Sequence, residues 1–141
     1  MTNRDCLFCH IVVGDLPAHL VLDGPDVVAF LDHRPLFPGH CLLVPRVHYE
    51  TLSDLPGSLV SPVFSAAQRL AKAVEMAMDA QGSFVALNNR VSQSVPHLHV
   101  HVVPRRRKDG LRGFFWPRQK YGSEEEMAAV ATRIRAVLTG A

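Results

Sequence analysis

The chain has 141 residues, 48% of them hydrophobic and 20% charged, with a net charge of +2. That length suits one compact domain with a buried core, and so small a charge gives no reason to expect a nucleic-acid or membrane-surface partner. No apolar run approaches the roughly 18 residues of a membrane span, and the opening MTNRDCLFCH lacks the apolar core of a secretory signal, so a cytoplasmic protein is expected.

In chain order, residues 5–13 read as a short helix, with Asp5 as its cap and Gly14 as its stop. Residues 20–22 and 27–31 are short apolar runs, and the turn-forming Asp23-Gly24-Pro25-Asp26 between them predicts a hairpin. Residues 34–39 hold two prolines and form a loop, and 40–45 follow as a third strand closed by Pro45. Ser61 and Pro62 fit the cap and first position of a long helix, whose apolar face is Val63, Ala67, Leu70 and Val74 and whose stop is Gly82. Residues 84–87 are a fourth strand, 88–96 a polar loop, and 98–103 a fifth strand ended by Pro104. Ser123-Glu124-Glu125-Glu126 has the form of a capping box and opens a last helix to about 139, with Met127, Val130, Ile134, Val137 and Leu138 on its apolar face. This order of helix, three strands, helix, two strands, helix predicts an α+β domain with an antiparallel sheet. No linker divides the chain.

The chemistry is concentrated in His97-Leu98-His99-Val100-His101-Val102-Val103. A strand alternates its side chains, so the three imidazoles share one face and the apolar residues take the other. Such a face can bind a metal, or one imidazole can attack an electrophile such as phosphorus. The three cysteines, Cys6, Cys9 and Cys41, are too few for a disulfide framework. The C-x-x-C spacing of the first two suggests metal binding or redox work. Cys41 reads as a buried apolar residue.

Five blocks in order give a more specific reading. They are Cys6-Leu7-Phe8-Cys9 with Gly14-Asp15-Leu16-Pro17; Ala29-Phe30-Leu31-Asp32-His33-Arg34-Pro35; Pro38-Gly39-His40; Val44-Pro45-Arg46-Val47-His48; and Gln93-Ser94-Val95 leading into the histidine run. Together, over residues 6–105, they resemble the histidine-triad (HIT) family of nucleotide hydrolases and transferases. The resemblance implies a single domain over 1–141 with a HIT-like fold: an antiparallel sheet of about five strands, a long central helix and a C-terminal helix in the segment 106–141. It also implies that His99 attacks the α-phosphate and carries a transient nucleotidyl group. His101 and Ser94 would then hold phosphate oxygens, Gln93 would stand near the scissile bridge, and His40 would support the triad by hydrogen bonding. Asp32 would accept the ribose hydroxyls, with Phe30 and Leu31 bordering the base. Asn88 and Asn89 are further candidates near the phosphate.

In a zinc-bearing branch of the family, the N-terminal C-x-x-C is joined by two histidines. That resemblance assigns Cys6, Cys9, His48 and His97 to a closed structural zinc site. Family members usually form homodimers, which gives Phe114, Phe115 and Trp116 a candidate place at an interface or pocket. The candidate substrates are a dinucleoside polyphosphate, a nucleoside phosphoramidate or an adenylyl-sulfate. The rival reading is a nucleotide-binding or interaction protein of the same fold without turnover. Two departures bear on the leaving group: Ser92 stands where many members carry glycine, and the loop 88–92 is shorter than in the phosphoramidase branch. The basic run 105–108 reads either as a contact to further phosphates or as a solvated loop.

Overall fold

The computed structural model describes residues 3–112 and 117–140. The chain divides into two compact units, Met1–Asp109 and Gly110–Ala141. The first holds α1 (Leu7–Val13), β1 (Leu20–Asp23), β2 (Val27–Leu31), β3 (Cys41–Pro45), a short 3₁₀ turn (Leu52–Asp54), α2 (Gly57–Ala77), β4 (Gly82–Ala86) and β5 (Val100–Arg105). The five strands make one antiparallel sheet in the order β1-β2-β3-β5-β4.

Both faces of this sheet are covered, which explains why β2 and β3 are buried along nearly their whole length rather than alternating. Ala29, Cys41, Leu43, Val100 and Val102 face α2 and pack on its Val63, Ala66, Ala67, Leu70 and Val74. Val28, Phe30, Leu42 and Val44 face the other way and pack on Cys6, Phe8 and Cys9 of the α1 segment. The sheet therefore lies between a long helix and a short one, and the chemistry gathers on the side of the short one.

Several boundaries differ from those the sequence predicts. The first helix begins at Leu7 rather than at 5, because its cap is Cys6, whose Sγ accepts from the Cys9 N–H at 3.4 Å. Gly14 stops it as expected, in the left-handed conformation at φ 87°. The central helix starts at Gly57, so Pro62 lies inside it rather than at its first position. Buried Leu55 and half-buried Leu59, which packs on the α2 side of the core, hold this extra turn despite the backbone donor that Pro62 lacks. The same helix ends at Ala77, five residues before Gly82, because Asp79 adopts the left-handed turn conformation at φ 51° and Gly82 already pairs with Arg105. The last strand continues through Pro104 to Arg105. Its pairing with β3 runs only from Val100 to Val102, so at Pro104 the sheet has a partner on the β4 side alone and the missing N–H leaves no gap in the ladder.

The loop into β3 is tightened by Gly39, at φ 96°, where an added Cβ would lie 2.6 Å from Met78 Cγ and 3.1 Å from Pro104 Cγ. The basic run 105–108 has structural partners: Arg105 makes a two-pronged ion pair with Asp109, and the Arg106 guanidinium donates to the Met78 carbonyl at the end of α2.

In the second unit, α3 (Glu124–Gly140) starts where the sequence predicts, with Ser123 as its cap, but the reciprocal bond of the box falls on Gly122 rather than on Ser123. Ser123 Oγ accepts from the Glu126 N–H at 3.0 Å, and the Glu126 carboxylate accepts from the Gly122 N–H at 2.6 Å. Met127, Ile134, Val137 and Leu138 on its apolar face are exposed. Phe114, Phe115 and Trp116 lie outside the described residues. No helix among the described residues is long and apolar enough to cross a membrane.

Candidate functional site

Only the second half of the histidine run is paired in the sheet, and His97 lies in a bend. His97, Leu98 and His99 precede the first β5 residue, Val100, and are anchored by a 2.7 Å bond from the Leu98 N–H to the Tyr49 carbonyl. The alternation nevertheless holds. Leu98, Val100 and Val102 enter the core beneath α2, whereas Phe8 of α1 meets both His97 and His99 edge-on, at 6.0 and 5.0 Å between ring centroids.

The backbone then gives each imidazole a different state. A carbonyl can only accept, so each ring nitrogen beside one must carry the hydrogen. His97 Nε2–H donates to the Pro45 carbonyl at 2.9 Å, which leaves Nδ1 with a lone pair. His99 Nδ1–H donates to the His97 carbonyl at 2.7 Å, which leaves Nε2 with the lone pair. His101 is set through His40. The Leu36 N–H donates to His40 Nδ1 at 3.1 Å, so His40 carries its hydrogen on Nε2 and donates it to His101 Nδ1 at 3.0 Å. His101 must then carry its own hydrogen on Nε2, as a donor.

These assignments require neutral rings, and burial supplies them. Desolvation lowers His97 and His101 to a pKa of about 4, with neighbouring imidazoles adding to the shift. His99 and His40 are lowered for the same leading reason, partly opposed by the Asp32 carboxylate. At neutral pH all four are uncharged.

His99 and His101 open onto a cavity of about 850 Å³. One end is polar, made by His99, His101, Ser94 and Asp32. The remainder is mostly apolar, walled by Leu7, Phe8 and Ile11 of α1, Leu16, Ala18, Phe30, Leu31, Leu42 and Val95, with His19 and His33 also on the lining. No fully buried side-chain nitrogen or oxygen among the described residues lacks a hydrogen-bond partner. The unpartnered Nε2 of His99 is therefore accessible from this cavity. Asp32 is oriented by the Arg34 N–H, which donates to Oδ1 at 2.9 Å, and its Oδ2 lies 3.8 Å from His40 Nε2.

The structure thus brings together His99, His101, Ser94, Asp32, Phe30 and Leu31 around one cavity, with His40 directly behind. Gln93, Asn88 and Asn89 do not line it. Gln93 pins the loop instead, accepting from the Arg90 N–H at 2.8 Å and donating to the Glu50 carbonyl at 2.6 Å. Asn88 donates to the Ser92 carbonyl and Asn89 accepts from the Leu52 N–H. This loop takes left-handed conformations at Arg90 (φ 69°) and Ser92 (φ 63°), the latter at the position where the resemblance expects glycine. The apolar wall from α1 was not read from the sequence, although Leu7-Phe8 between two candidate ligands was a usable signal.

The second cluster lies behind the histidine run. Cys6 Sγ, Cys9 Sγ, His48 Nδ1 and His97 Nδ1 lie within 4.8 Å of one another. The distances from His97 Nδ1 are 3.3 Å to Cys6 Sγ, 3.6 Å to Cys9 Sγ and 3.2 Å to His48 Nδ1, with 3.4 Å between Cys9 Sγ and His48 Nδ1. A tetrahedral zinc with ordinary bond lengths separates its ligands by roughly 3.3–3.8 Å, so the donors are spaced to hold such an ion. Each sulfur also accepts a backbone N–H, from Cys9 and Asn3 respectively, as a thiolate does. Burial pushes the Cys6 thiol up, so a cation is needed to keep that sulfur deprotonated.

An antiparallel sheet carrying alternating imidazoles into a cavity, with a loop serine and a carboxylate facing them, defines a histidine-triad domain. The chain belongs to the HIT domain family, whose pattern matches residues 13–108. It is 33% identical to Protein hit of Bacillus subtilis over 80% of this chain and 79% of that one. It is 32% identical to the adenylylsulfatase HINT3 of Arabidopsis thaliana, over 77% of this chain and 56% of that protein. With the adenosine 5'-monophosphoramidase HNT1 of Saccharomyces cerevisiae it shares 34% identity over 82% and 72% of the two chains. Among solved structures, SMU.412c of Streptococcus mutans superposes with a TM-score of 0.85 at 30% identity, covering 97% of this chain and 87% of that one. A zinc-bound histidine triad family protein of Mycobacterium smegmatis gives 0.73 at 35% identity, covering 94% and 97%.

Proposed function

We infer that the protein hydrolyses or transfers a nucleotidyl group by covalent catalysis at His99. The observation that carries this reading is the hydrogen bond from His99 Nδ1 to the His97 carbonyl, 2.7 Å long, in a ring that burial keeps neutral. It commits the opposite nitrogen, Nε2, to act as a nucleophile towards the cavity.

In the first step Nε2 forms a bond to the α-phosphorus while the bond from phosphorus to the leaving group breaks, the leaving group taking the electron pair and, where it is an amine, a proton from solvent. In the second, water attacks the phosphorus and gives up a proton to solvent, the N–P bond breaks with its electron pair returning to Nε2, and the nucleoside monophosphate departs with His99 restored. His101 Nε2–H, held as a donor by His40, and the Ser94 hydroxyl are placed to meet charge on the phosphate oxygens. Asp32 accepts ribose hydroxyls, and the apolar part of the cavity takes the base. Gln93 reaches the scissile bridge only by releasing Glu50 or Arg90, and Asn88 and Asn89 stand further back in the same loop.

Zinc at Cys6, Cys9, His48 and His97 is the metal this donor set fits, and when bound it supplies a closed cross-link rather than an open coordination position. The family names favour an adenylyl-sulfate or a phosphoramidate as the substrate class over a dinucleoside polyphosphate. A cytoplasmic homodimer is the form proposed for the working protein, checked by light scattering on the purified chain.

Each of the three substrates should be offered to the protein and the reaction quenched for peptide mass spectrometry. A nucleotidyl adduct on the peptide containing His99, absent from His99→Asn, is the expected result. Turnover without any adduct on that peptide would remove His99 from its role. Nucleotide binding with no turnover on any of the three would favour the non-catalytic reading.

A further inference from the structure

We propose that α1 is a movable wall of the nucleotide cavity whose position is set by the metal, so that metal and nucleotide each tighten the binding of the other. The inference rests on the reading of the cavity as the nucleotide site.

The helix faces both ligands. Cys6 and Cys9, three residues apart, lie on the side turned to His48 and His97, and Leu7, Phe8 and Ile11 line the cavity. Seven residues make about two turns, too few to hold a helix by its own hydrogen bonds. Its buried anchors are Cys6, Phe8 and Cys9, whereas Leu7 and Val13 are 44% and 55% exposed. Two of the three anchors are therefore metal donors, and the third stands between them. Phe8 packs edge-on against Phe30 at 5.4 Å, as well as against His97 and His99. Without the metal, α1 is seated against the cavity by apolar packing alone, with Val28, Phe30, Leu42 and Val44.

A second path runs through His97. Its Nδ1 faces the metal donors, its Nε2 is fixed on Pro45, and its carbonyl holds His99 Nδ1. One residue thus joins the metal cluster to the orientation of the nucleophile. A base lying on α1 from the cavity side holds the cysteines in place, just as the metal holds the wall in place for the base. Linkage makes the two effects equal in size.

The test uses the full chain loaded with zinc, with zinc affinity measured by competition against a chromophoric chelator at increasing AMP. Saturating AMP should raise the zinc affinity about tenfold, within the range usual for coupled sites. Calorimetry should show AMP binding weaker by the same factor in chelator-stripped protein, with circular dichroism monitoring its fold. If the stripped protein unfolds, the competition on loaded protein decides alone. Zinc affinity independent of AMP would overturn the coupling and leave the nucleotide reading intact. Failure of the loaded protein to bind AMP would overturn both. The double variant Leu7→Ala, Ile11→Ala keeps all four metal donors and should still bind one zinc, with the coupling reduced to about twofold or less. Full coupling in that variant would remove α1 as the wall that carries it.

Discussion

Two clusters of imidazoles lie on the same side of the sheet, and they have been prepared for opposite work. His48 and His97 stand with two cysteine sulfurs, and His40 and His101 stand with Asp32; in both groups the candidate donor atoms lie within 4.8 Å. By residue type and distance, either could be taken for a metal site. The difference lies in what the backbone does to the far nitrogen of one ring in each cluster, His97 in the first and His40 in the second. The Pro45 carbonyl takes the hydrogen of His97 Nε2, so Nδ1 turns a lone pair toward the sulfurs. The Leu36 N–H fills the lone pair of His40 Nδ1, so Nε2 turns a hydrogen toward His101. One cluster converges lone pairs and suits a cation. The other passes a hydrogen bond along, from the Leu36 N–H through His40 to His101. Two backbone groups, one carbonyl and one amide, set the two clusters apart.

Four outcomes would break or sharpen this contrast. Substitution of His99 by Asn should reduce turnover by about a thousandfold or more while leaving metal content unchanged, measured by steady-state kinetics beside elemental analysis. Loss of metal together with activity would mean that the two clusters are not separable. The double variant Cys6→Ser, Cys9→Ser should bind no zinc, at Asp32, His40 and His101 included, and should melt about 10 °C or more below the zinc-loaded parent. Retained stoichiometric zinc would show that the second cluster does converge lone pairs. His40→Ala removes the donor that fixes the His101 tautomer, and kcat is expected to fall about tenfold to a hundredfold with a much smaller change in nucleotide affinity. An equal loss in both would make His40 a packing residue only.

The smallest effect is in the pH profile. Desolvation lowers the folded His99 below 6.5, so the ring stays neutral as the pH falls, and with His99 as the proposed nucleophile the acid limb of kcat/KM should lie below that value. At pH 6.5 an unshifted imidazole would be half protonated, so the protein should keep more than half of its plateau rate there. An acid limb centred at or above 6.5 would contradict the buried environment assigned to His99.

The α+β class, the hairpin and the strand Val27–Leu31 were legible because apolar runs and turn residues are local signals. The donor set Cys6, Cys9, His48 and His97 was likewise readable by residue type and resemblance. Boundaries marked by proline and glycine were less so. Pro62 and Pro104 were read as limits, yet tertiary packing carries α2 backward past the first, and one-sided pairing carries β5 through the second. The tautomers were invisible because they depend on the Pro45 and His97 carbonyls, which any residue would present, and the Leu36 N–H, which any residue but proline would. For Gln93, Asn88 and Asn89, the sequence supplied amides of suitable chemistry, and the fold engages them within their own loop and with its neighbours at Glu50 and Leu52.

Gly39 adds a constraint of a different order. It precedes His40, which donates to His101, in a left-handed conformation, with the end of α2 and Pro104 closed over the place where a side chain would begin. A larger residue there must strain the backbone and shift those neighbours, and the strain falls on His40 first. In a library of random substitutions scored for turnover, position 39 would therefore be as intolerant as the imidazoles themselves, although it touches no ligand and carries no chemistry.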